Sequence, residues 1–108
     1  MPTPGDVVYV PFFGADGMKP RPAVVVSSDL YHSCRSDIVV GVLTTQLGWA
    51  TAPTDHVLQD WSAGLNHLSA FRCYFMTCDV AEVIFQIGVL SARDWAEVQA
   101  RLRLAMAA

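Results

Sequence analysis

The sequence lacks any apolar run of the length that a membrane-spanning helix needs, and its first residues have neither the basic nor the apolar region of a secretory signal. We therefore expect a cytoplasmic protein with no membrane association. The motifs G-x-x-x-x-G-K-[ST] and G-x-G-x-x-G are also missing, which removes support for nucleotide-cofactor chemistry.

Cysteine is scarce, and its spacing excludes two further classes of protein. The three cysteines, Cys34, Cys73 and Cys78, are odd in number and form no C-x-x-C pair. Neither a secreted disulfide framework nor a zinc ribbon fits this spacing. We expect a reduced protein with no metal and no cofactor.

A hydrolase site built on serine or cysteine has no sequence support either. The chain contains no G-x-S-x-G elbow and no recognisable Cys-His signature. The three histidines, His32, His56 and His67, are accordingly predicted to be ordinary loop and edge residues.

Charge is low and slightly acidic, with seven basic and ten acidic residues and a net charge of -3. This balance argues against a protein that coats nucleic acid by neutralising phosphates, but it does not exclude a local basic groove. Because 53% of the residues are hydrophobic, some apolar surface should be covered by a second copy or a partner.

The 108 residues have the size of one compact domain, which we predict to span residues 1–108. Short β-branched and aromatic runs predict six strands at residues 7–12, 21–28, 38–45, 55–58, 69–76 and 83–87. Residues 13–20 and 46–54 are predicted loops, residues 61–65 a turn, and Gly88 the end of the last strand. The pattern is typical of a mainly β fold, a small antiparallel barrel.

One clear helix is predicted after Ser91, and at most one helical turn after Ser28. The segment Ser91-Ala92-Arg93-Asp94 has the form of a capping box. Apolar residues then recur on one helical stripe, at Trp95, Val98, Leu102 and Met106. This C-terminal helix should pack on the barrel.

Polar residues stand at the ends of several predicted strands. Arg21 opens the second strand, Thr44 closes the third, and Arg72 lies within the fifth. Pro22 holds Arg21 extended, and a guanidinium offers a fixed fork suited to phosphate. Each residue alone would be interpreted as an ordinary strand-terminal polar group, and only their joint order indicates more.

That order resembles the MazF/PemK (Kid) family of toxin-antitoxin endoribonucleases. The matching segments run in the family's order along nearly the whole chain: Gly5-Asp6 before an apolar run, Arg21-Pro22 before another, Thr44-Thr45-Gln46, and Ile87-Gly88-Val89-Leu90-Ser91. The resemblance implies an SH3-like barrel of the PemK/MazF/CcdB type and a homodimer. It also implies metal-independent cleavage of single-stranded RNA, with a cyclic phosphate and a 5′-hydroxyl as product ends, and inhibition by a cognate antitoxin.

Carried over by position, the family's arginine of strand two is Arg21 and its threonine of strand three is Thr44, which are the expected catalytic residues. Arg72 aligns with an arginine that acts in the Kid branch and is the third expected catalytic residue. The aspartate found two residues later in that branch is replaced here by Tyr74, and the histidine of its first loop is absent.

Substrate contacts are expected from Lys19, Thr45 and Gln46. Stacking platforms for bases, or alternatively core or interface residues, are expected among the aromatic side chains Phe12, Phe13, Trp49 and Trp61.

Two alternative functions use the same barrel. One is an interaction module without catalysis, which the acidic balance and Tyr74 favour. The other is a gyrase poison of the CcdB type, but that family depends on a Trp-Gly-Ile tail, whereas this chain ends Leu104-Ala105-Met106-Ala107-Ala108.

Overall fold

The computed structural model describes residues 1–61 and 64–107 as a mainly β fold with a C-terminal helix, which confirms the predicted fold class. The strands are β1 (Asp6–Gly14), β2 (Gly17–Val25), β3 (Asp37–Thr44), β4 (His56–Val57), β5 (Ala70–Asp79) and β6 (Phe85–Val89). The helices are α1 (Asp29–Cys34) and α2 (Ala92–Met106), with 3₁₀ turns at Leu47–Trp49 and Val80–Glu82. Within the described residues, no helix has both the length and the hydropathy required to cross a membrane.

The six strands form one curled antiparallel sheet in the order β4-β5-β3-β2-β1-β6. Strand β2 lies inside the sheet, and its residues Ala23, Val24 and Val25 are completely buried. Because successive side chains of a strand point to opposite faces, this run supplies both faces of the sheet. Ala23 and Val25 join one core cluster, while Val24 joins a second cluster that includes Val98 of α2. Helix α2 thus covers one face of the sheet, as predicted.

Gly41 allows β3 and β5 to approach closely at the centre of the sheet. A Cβ atom at this position would lie 2.5 Å from Cε1 of Phe71, a fully buried ring of the second cluster. Real carbon atoms do not approach this closely, so the absence of a side chain at Gly41 gives Phe71 its place in the core.

The prediction of a loop over residues 13–20 is wrong. Strands β1 and β2 form a hairpin that pairs Phe13 with Met18 and closes with Gly14 opposite Gly17. Gly17 has a φ of 90°, which a residue with a Cβ rarely adopts, and this conformation permits a connection of only two residues.

The last strand also differs from the prediction, since β6 runs through Gly88 and ends at Val89. A register shift between Val7 and Val8 of β1 accommodates the glycine opposite Val7. The predicted fourth strand shortens to His56–Val57. The predicted turn at residues 61–65 includes Ser62 and Ala63, which lie outside the described residues.

Helix α2 begins as predicted, with the Ser91 hydroxyl accepting the Asp94 amide. The second half of the predicted capping box is replaced by another contact, because the Asp94 carboxylate accepts a hydrogen bond from His56 at 2.9 Å. His56 and His32 are buried, and His32 lies 2.6 Å from the hydroxyl of Ser27. His56 lies on the edge strand β4, as predicted, but both histidines are buried and hydrogen-bonded, which the prediction of ordinary loop and edge residues did not include.

Candidate functional site

One cleft contains all three residues predicted to be catalytic. Arg21, Thr44 and Arg72 line a cavity of about 260 Å³ at the end of the sheet, together with Tyr74 and Trp49. The buried residues Phe12 and Val42 also line it. We call it the arginine cleft.

The pairing of β2 with β3 explains why Arg21 and Thr44 meet. Ala23 is the partner of Val42, so extending this register by two residues places Arg21 opposite Thr44. Ala23 and Val42 belong to the first core cluster, and Arg21 and Thr44 are each two residues away from one of them. Because side chains two apart on a strand share a face, Arg21 and Thr44 point to the same face as this cluster. The register of β2 and β3 and the alternation of side chains along each strand therefore bring Arg21 and Thr44 to the same cleft.

Arg72 enters the cleft through an irregularity in β5. Gly41 of β3 pairs with Phe75, but Leu43 pairs with Phe71, so residues 72–74 lie opposite Val42 alone. Extra residues in one strand bend it and redirect its side chains. The irregularity accounts for the presence of both Arg72 and Tyr74 in the cleft.

The hydrogen bonding of Thr44 leaves its hydroxyl available as a donor. The Thr44 oxygen accepts the backbone N–H of Gln46 at 3.0 Å, so the hydroxyl proton can point elsewhere. With two guanidiniums that stay charged at neutral pH and Asp16 as the carboxylate among its described lining residues, the cleft has an excess of positive charge. Such a site can hold a phosphate.

Tyr74 is the cleft residue whose role the sequence does not predict. Its ring packs edge-to-face on Phe12, with the ring centroids 5.3 Å apart. The Arg72 guanidinium carbon lies 6.0 Å from the centre of the Tyr74 ring, within range of a cation–π contact. The phenol is therefore held beside a positive charge at the place where the Kid branch has an aspartate.

The three predicted substrate contacts are distributed around the cleft and do not line it. Lys19 is exposed, and its ammonium lies 3.8 Å from Asp16 of the lining. Gln46 is exposed beside Thr44. Thr45 lines a different cleft on the other face of the sheet. Their roles in substrate binding stay predictions.

The aromatic side chains named as stacking platforms separate into two groups. Phe12 is buried, and Trp61 packs against the second core cluster, so both serve the core. Phe13 and Trp49 are 63% and 68% exposed, and Trp49 also lines the arginine cleft. Trp49 is therefore the aromatic residue best placed to stack on a base beside the residues predicted to be catalytic.

In the part of the chain that the structure describes, no three His, Cys, Asp or Glu residues gather into a potential metal site. The thiols are also dispersed. Cys34 is exposed and Cys78 is buried, where removal from water raises the pKa of its thiol to about 11.

The family described as PemK-like, MazF-like toxin of type II toxin-antitoxin system matches residues 3–106. The chain belongs to this family. The match covers almost the whole sequence and confirms the resemblance seen in its motifs. No curated protein matches the chain in sequence.

Solved structures of similar fold have low sequence identity to this chain. A mycobacterial endoribonuclease, solved in complex with its cognate antitoxin, has a TM-score of 0.81 and 20% identity, covering 99% of this chain and 96% of its own. The Mycobacterium tuberculosis toxin MazF-mt6 has a TM-score of 0.77 and 21% identity, with coverage of 94% and 96%. A chain of a MazE-MazF structure from Deinococcus radiodurans has a TM-score of 0.73 and 21% identity, with coverage of 97% and 94%. At such identities the likeness shows the fold.

Proposed function

We propose that this chain is the toxin of a type II toxin-antitoxin system and cleaves single-stranded RNA in the arginine cleft. The observation that carries the proposal is the convergence of Arg21, Thr44 and Arg72 on one cavity from three different strands. The family is one of toxins, and two of the similar structures are named endoribonucleases.

The proposed reaction uses the substrate's own 2′-hydroxyl as nucleophile. Its oxygen attacks the adjacent phosphorus while its proton passes to water, and the bond from phosphorus to the 5′-oxygen breaks. The products are a 2′,3′-cyclic phosphate and a 5′-hydroxyl. Negative charge builds up on the phosphorane, where Arg21 and Arg72 stabilise it and Thr44 donates a hydrogen bond. Because the two guanidiniums supply the positive charge, we propose that no metal is needed.

The leaving 5′-oxygen must receive a proton, and we assign this role to Tyr74. A phenol O–H is a hydrogen-bond donor and can transfer its proton to a leaving alkoxide, so it can act as a general acid. Arg72, 6.0 Å from the ring, would stabilise the phenolate that forms, and water would then return the proton. Arginine is a poor proton donor at its normal pKa, which leaves Tyr74 as the acid of the cleft.

The first test is cleavage of a mixed single-stranded RNA by the purified protein in EDTA. We expect fragments whose 5′ ends accept phosphate from a polynucleotide kinase without prior phosphatase treatment. The same RNA with every 2′-oxygen methylated is the control, and it should stay intact because it has no nucleophile. Intact RNA at micromolar protein, with the fold verified by circular dichroism, would overturn the proposal and favour the interaction module. Cleavage only after addition of magnesium would overturn metal independence.

The second test concerns Tyr74. We expect Tyr74→Phe to lower the cleavage rate by about 10²-fold, within the range for loss of a general acid. A substrate with sulfur in place of the leaving 5′-oxygen should restore this variant to nearly the wild-type rate, because a thiolate leaves without protonation. Arg21→Ala should not be restored by the same sulfur. Equal slowing of Tyr74→Phe on both substrates would exclude the acid role.

We also propose that the protein acts in the cytoplasm as a homodimer and is inhibited by a cognate antitoxin. The homodimer is supported by an open apolar groove, because a second copy of the chain would cover such a surface. The groove has a volume of about 700 Å³, lies between α2 and the sheet, and has apolar walls that include Val39, Phe75 and Leu102. The antitoxin is supported by the family and by the complexes in which similar toxins were solved.

A further inference from the structure

A second cleft lies next to the arginine cleft, on the other face of the sheet. It encloses about 490 Å³, within the usual range for small-ligand sites. We call it the Tyr9 cleft. Its lining includes an aromatic pair and several polar residues: Tyr9, Phe85, Thr45, Asn66, His67 and Ser69.

The two clefts are joined through consecutive residues. Arg21 and Thr44 line the arginine cleft, and the residues that follow them, Pro22 and Thr45, line the Tyr9 cleft. Consecutive Cα atoms are about 3.8 Å apart, and their side chains point to opposite faces of a strand. Because β3 ends at Thr44, a strand of RNA held beside Thr44 has to pass only the end of this strand to reach the Tyr9 cleft.

The wall of the Tyr9 cleft presents an aromatic surface to solvent. Tyr9 and Phe85 are partners across β1 and β6, with ring centroids 5.2 Å apart and planes inclined by 34°. Phe85 is 53% exposed, although an apolar ring of this size is normally buried. An exposed ring beside a cavity that also carries hydrogen-bonding groups can serve as a platform for a nucleobase.

The loop at residues 64–69 forms another part of the wall and carries hydrogen-bonding groups. The Ser69 hydroxyl donates to the carbonyl of His67 at 2.9 Å and holds the end of this loop. Gly64, with a φ of 133°, lies so close to β6 that a Cβ there would be 3.0 Å from the carbonyl oxygen of Ile87. Asn66, between these fixed points, offers both a donor and an acceptor, as recognition of a base edge requires.

The electrostatic character of the Tyr9 cleft also favours a nucleobase over a phosphate. No aspartate, glutamate, lysine or arginine is found among the described lining residues, so the cleft accepts a neutral group and leaves phosphate binding to the arginine cleft. From these contacts we infer that the Tyr9 cleft binds one nucleobase of the RNA, stacked on Phe85 and read at its edge by Asn66. This inference rests on the proposed ribonuclease function.

The inference is tested by binding, which is independent of cleavage. The probe is a pool of single-stranded RNA of random sequence with every 2′-oxygen methylated. We expect Phe85→Ala to weaken its binding about tenfold, as expected for loss of one stacked base. The matched control is Ile84→Ala, because Ile84 is similarly exposed beside Phe85 but does not line the cleft. Unchanged binding by Phe85→Ala would overturn the inference and leave the cleft to a peptide partner.

A second measurement separates failure of the subsite from failure of the proposed function. Unmodified RNA is cleaved by each protein and the fragment ends are sequenced. The wild type should prefer a particular base at one position near the cleavage site, and Asn66→Ala should weaken this preference. Cutting by both proteins with identical preference would overturn the role of Asn66 and leave the ribonuclease intact. If the wild type binds the pool but cuts nothing, and Phe85→Ala loses this binding, the ribonuclease proposal fails and the nucleobase site stands.

Discussion

Replacement of Arg21 by alanine is expected to lower the rate of RNA cleavage by about 10²- to 10³-fold, the usual cost of removing one group that stabilises transition-state charge. Arg21 lines the cavity with Thr44 and Arg72, and its pairing with Val10 of β1 fixes its backbone. The measurement is single-turnover cleavage of a labelled RNA at saturating protein. Because the lost contact strengthens in the transition state, affinity for the methylated RNA should change far less than the rate.

Arg21→Lys separates charge from geometry at the same position. Lysine keeps the positive charge but loses the planar fork, so we expect a rate between those of the wild type and Arg21→Ala. Arg103→Ala is the control for general loss of positive charge, because Arg103 is exposed on α2 and does not line the arginine cleft. Cleavage by Arg21→Ala within a few-fold of the wild-type rate would show that Arg21 does not stabilise the reacting phosphate.

The sheet could be predicted from the sequence where local chemistry alone decides the structure. Residues 23–25 are β-branched or small and fit a buried strand, and Ser91 caps α2 in the predicted way. The sequence predicts a loop in place of the β1–β2 hairpin because Gly14, Asp16, Gly17 and Pro20 are typical of loops. Strand β1 pairs with β6 only as far as Tyr9, and β2 pairs with β3 only from Ala23 onward. The hairpin end of β1 and β2 therefore has no neighbouring strand on its outer sides. The hairpin can contain proline because those outer edges require no N–H donors.

The arginine cleft could be predicted in part. Sequence order and the family resemblance indicate Arg21 and Thr44. Thr44 ends β3 as predicted, but Arg21 lies in the middle of β2 and does not open it, because β2 begins at Gly17 in the hairpin with β1. The placement of Arg72 and Tyr74 depends on the irregular pairing of residues 72–74 with Val42, which has no signature in the sequence. The Tyr9 cleft depends on contacts between β1, β6 and the loop at residues 64–69, which are far apart in the chain. Such contacts follow from topology and cannot be derived from local patterns.

Asp94 is at the centre of a buried hydrogen-bond network that could not be predicted from the sequence either. This network leads to the largest predicted effect on stability. Asp94 is 1% exposed, and its carboxylate accepts hydrogen bonds from His56 and from the backbone N–H groups of Gln59 and Asp60. Thirty-eight residues separate His56 from Asp94. The network therefore fastens the segment at residues 56–60 to the N-terminus of α2.

We expect Asp94→Asn to lower the free energy of unfolding by about 3 kcal/mol, in the range for disrupting hydrogen bonds to a buried charged group. An asparagine amide cannot accept all three hydrogen bonds, because its NH₂ group would face another donor. The measurement is urea unfolding at pH 7 followed by circular dichroism. Glu97→Gln is the matched control, since Glu97 is half exposed and pairs with Arg101 at 3.4 Å, a contact worth at most about 0.5 kcal/mol.

The same network makes stability depend on acid pH. Burial alone would raise the pKa of Asp94, but the hydrogen bonds from Gln59, His56 and Asp60 outweigh it and lower the pKa below its ordinary value. A carboxyl whose pKa is lower in the folded state stabilises the fold above its unfolded pKa of about 3.9, and this contribution is lost as pH falls through the folded pKa. Asp60, paired with Arg93 and Ser91, behaves in the same way, with its pKa lowered to about 2. The free energy of unfolding of the wild type should therefore fall as the pH decreases from about 4 towards 2, and that of Asp94→Asn should fall less over this interval. The measurement is urea unfolding at each pH. An equally steep fall in the variant would mean that Asp94 is not the residue responsible.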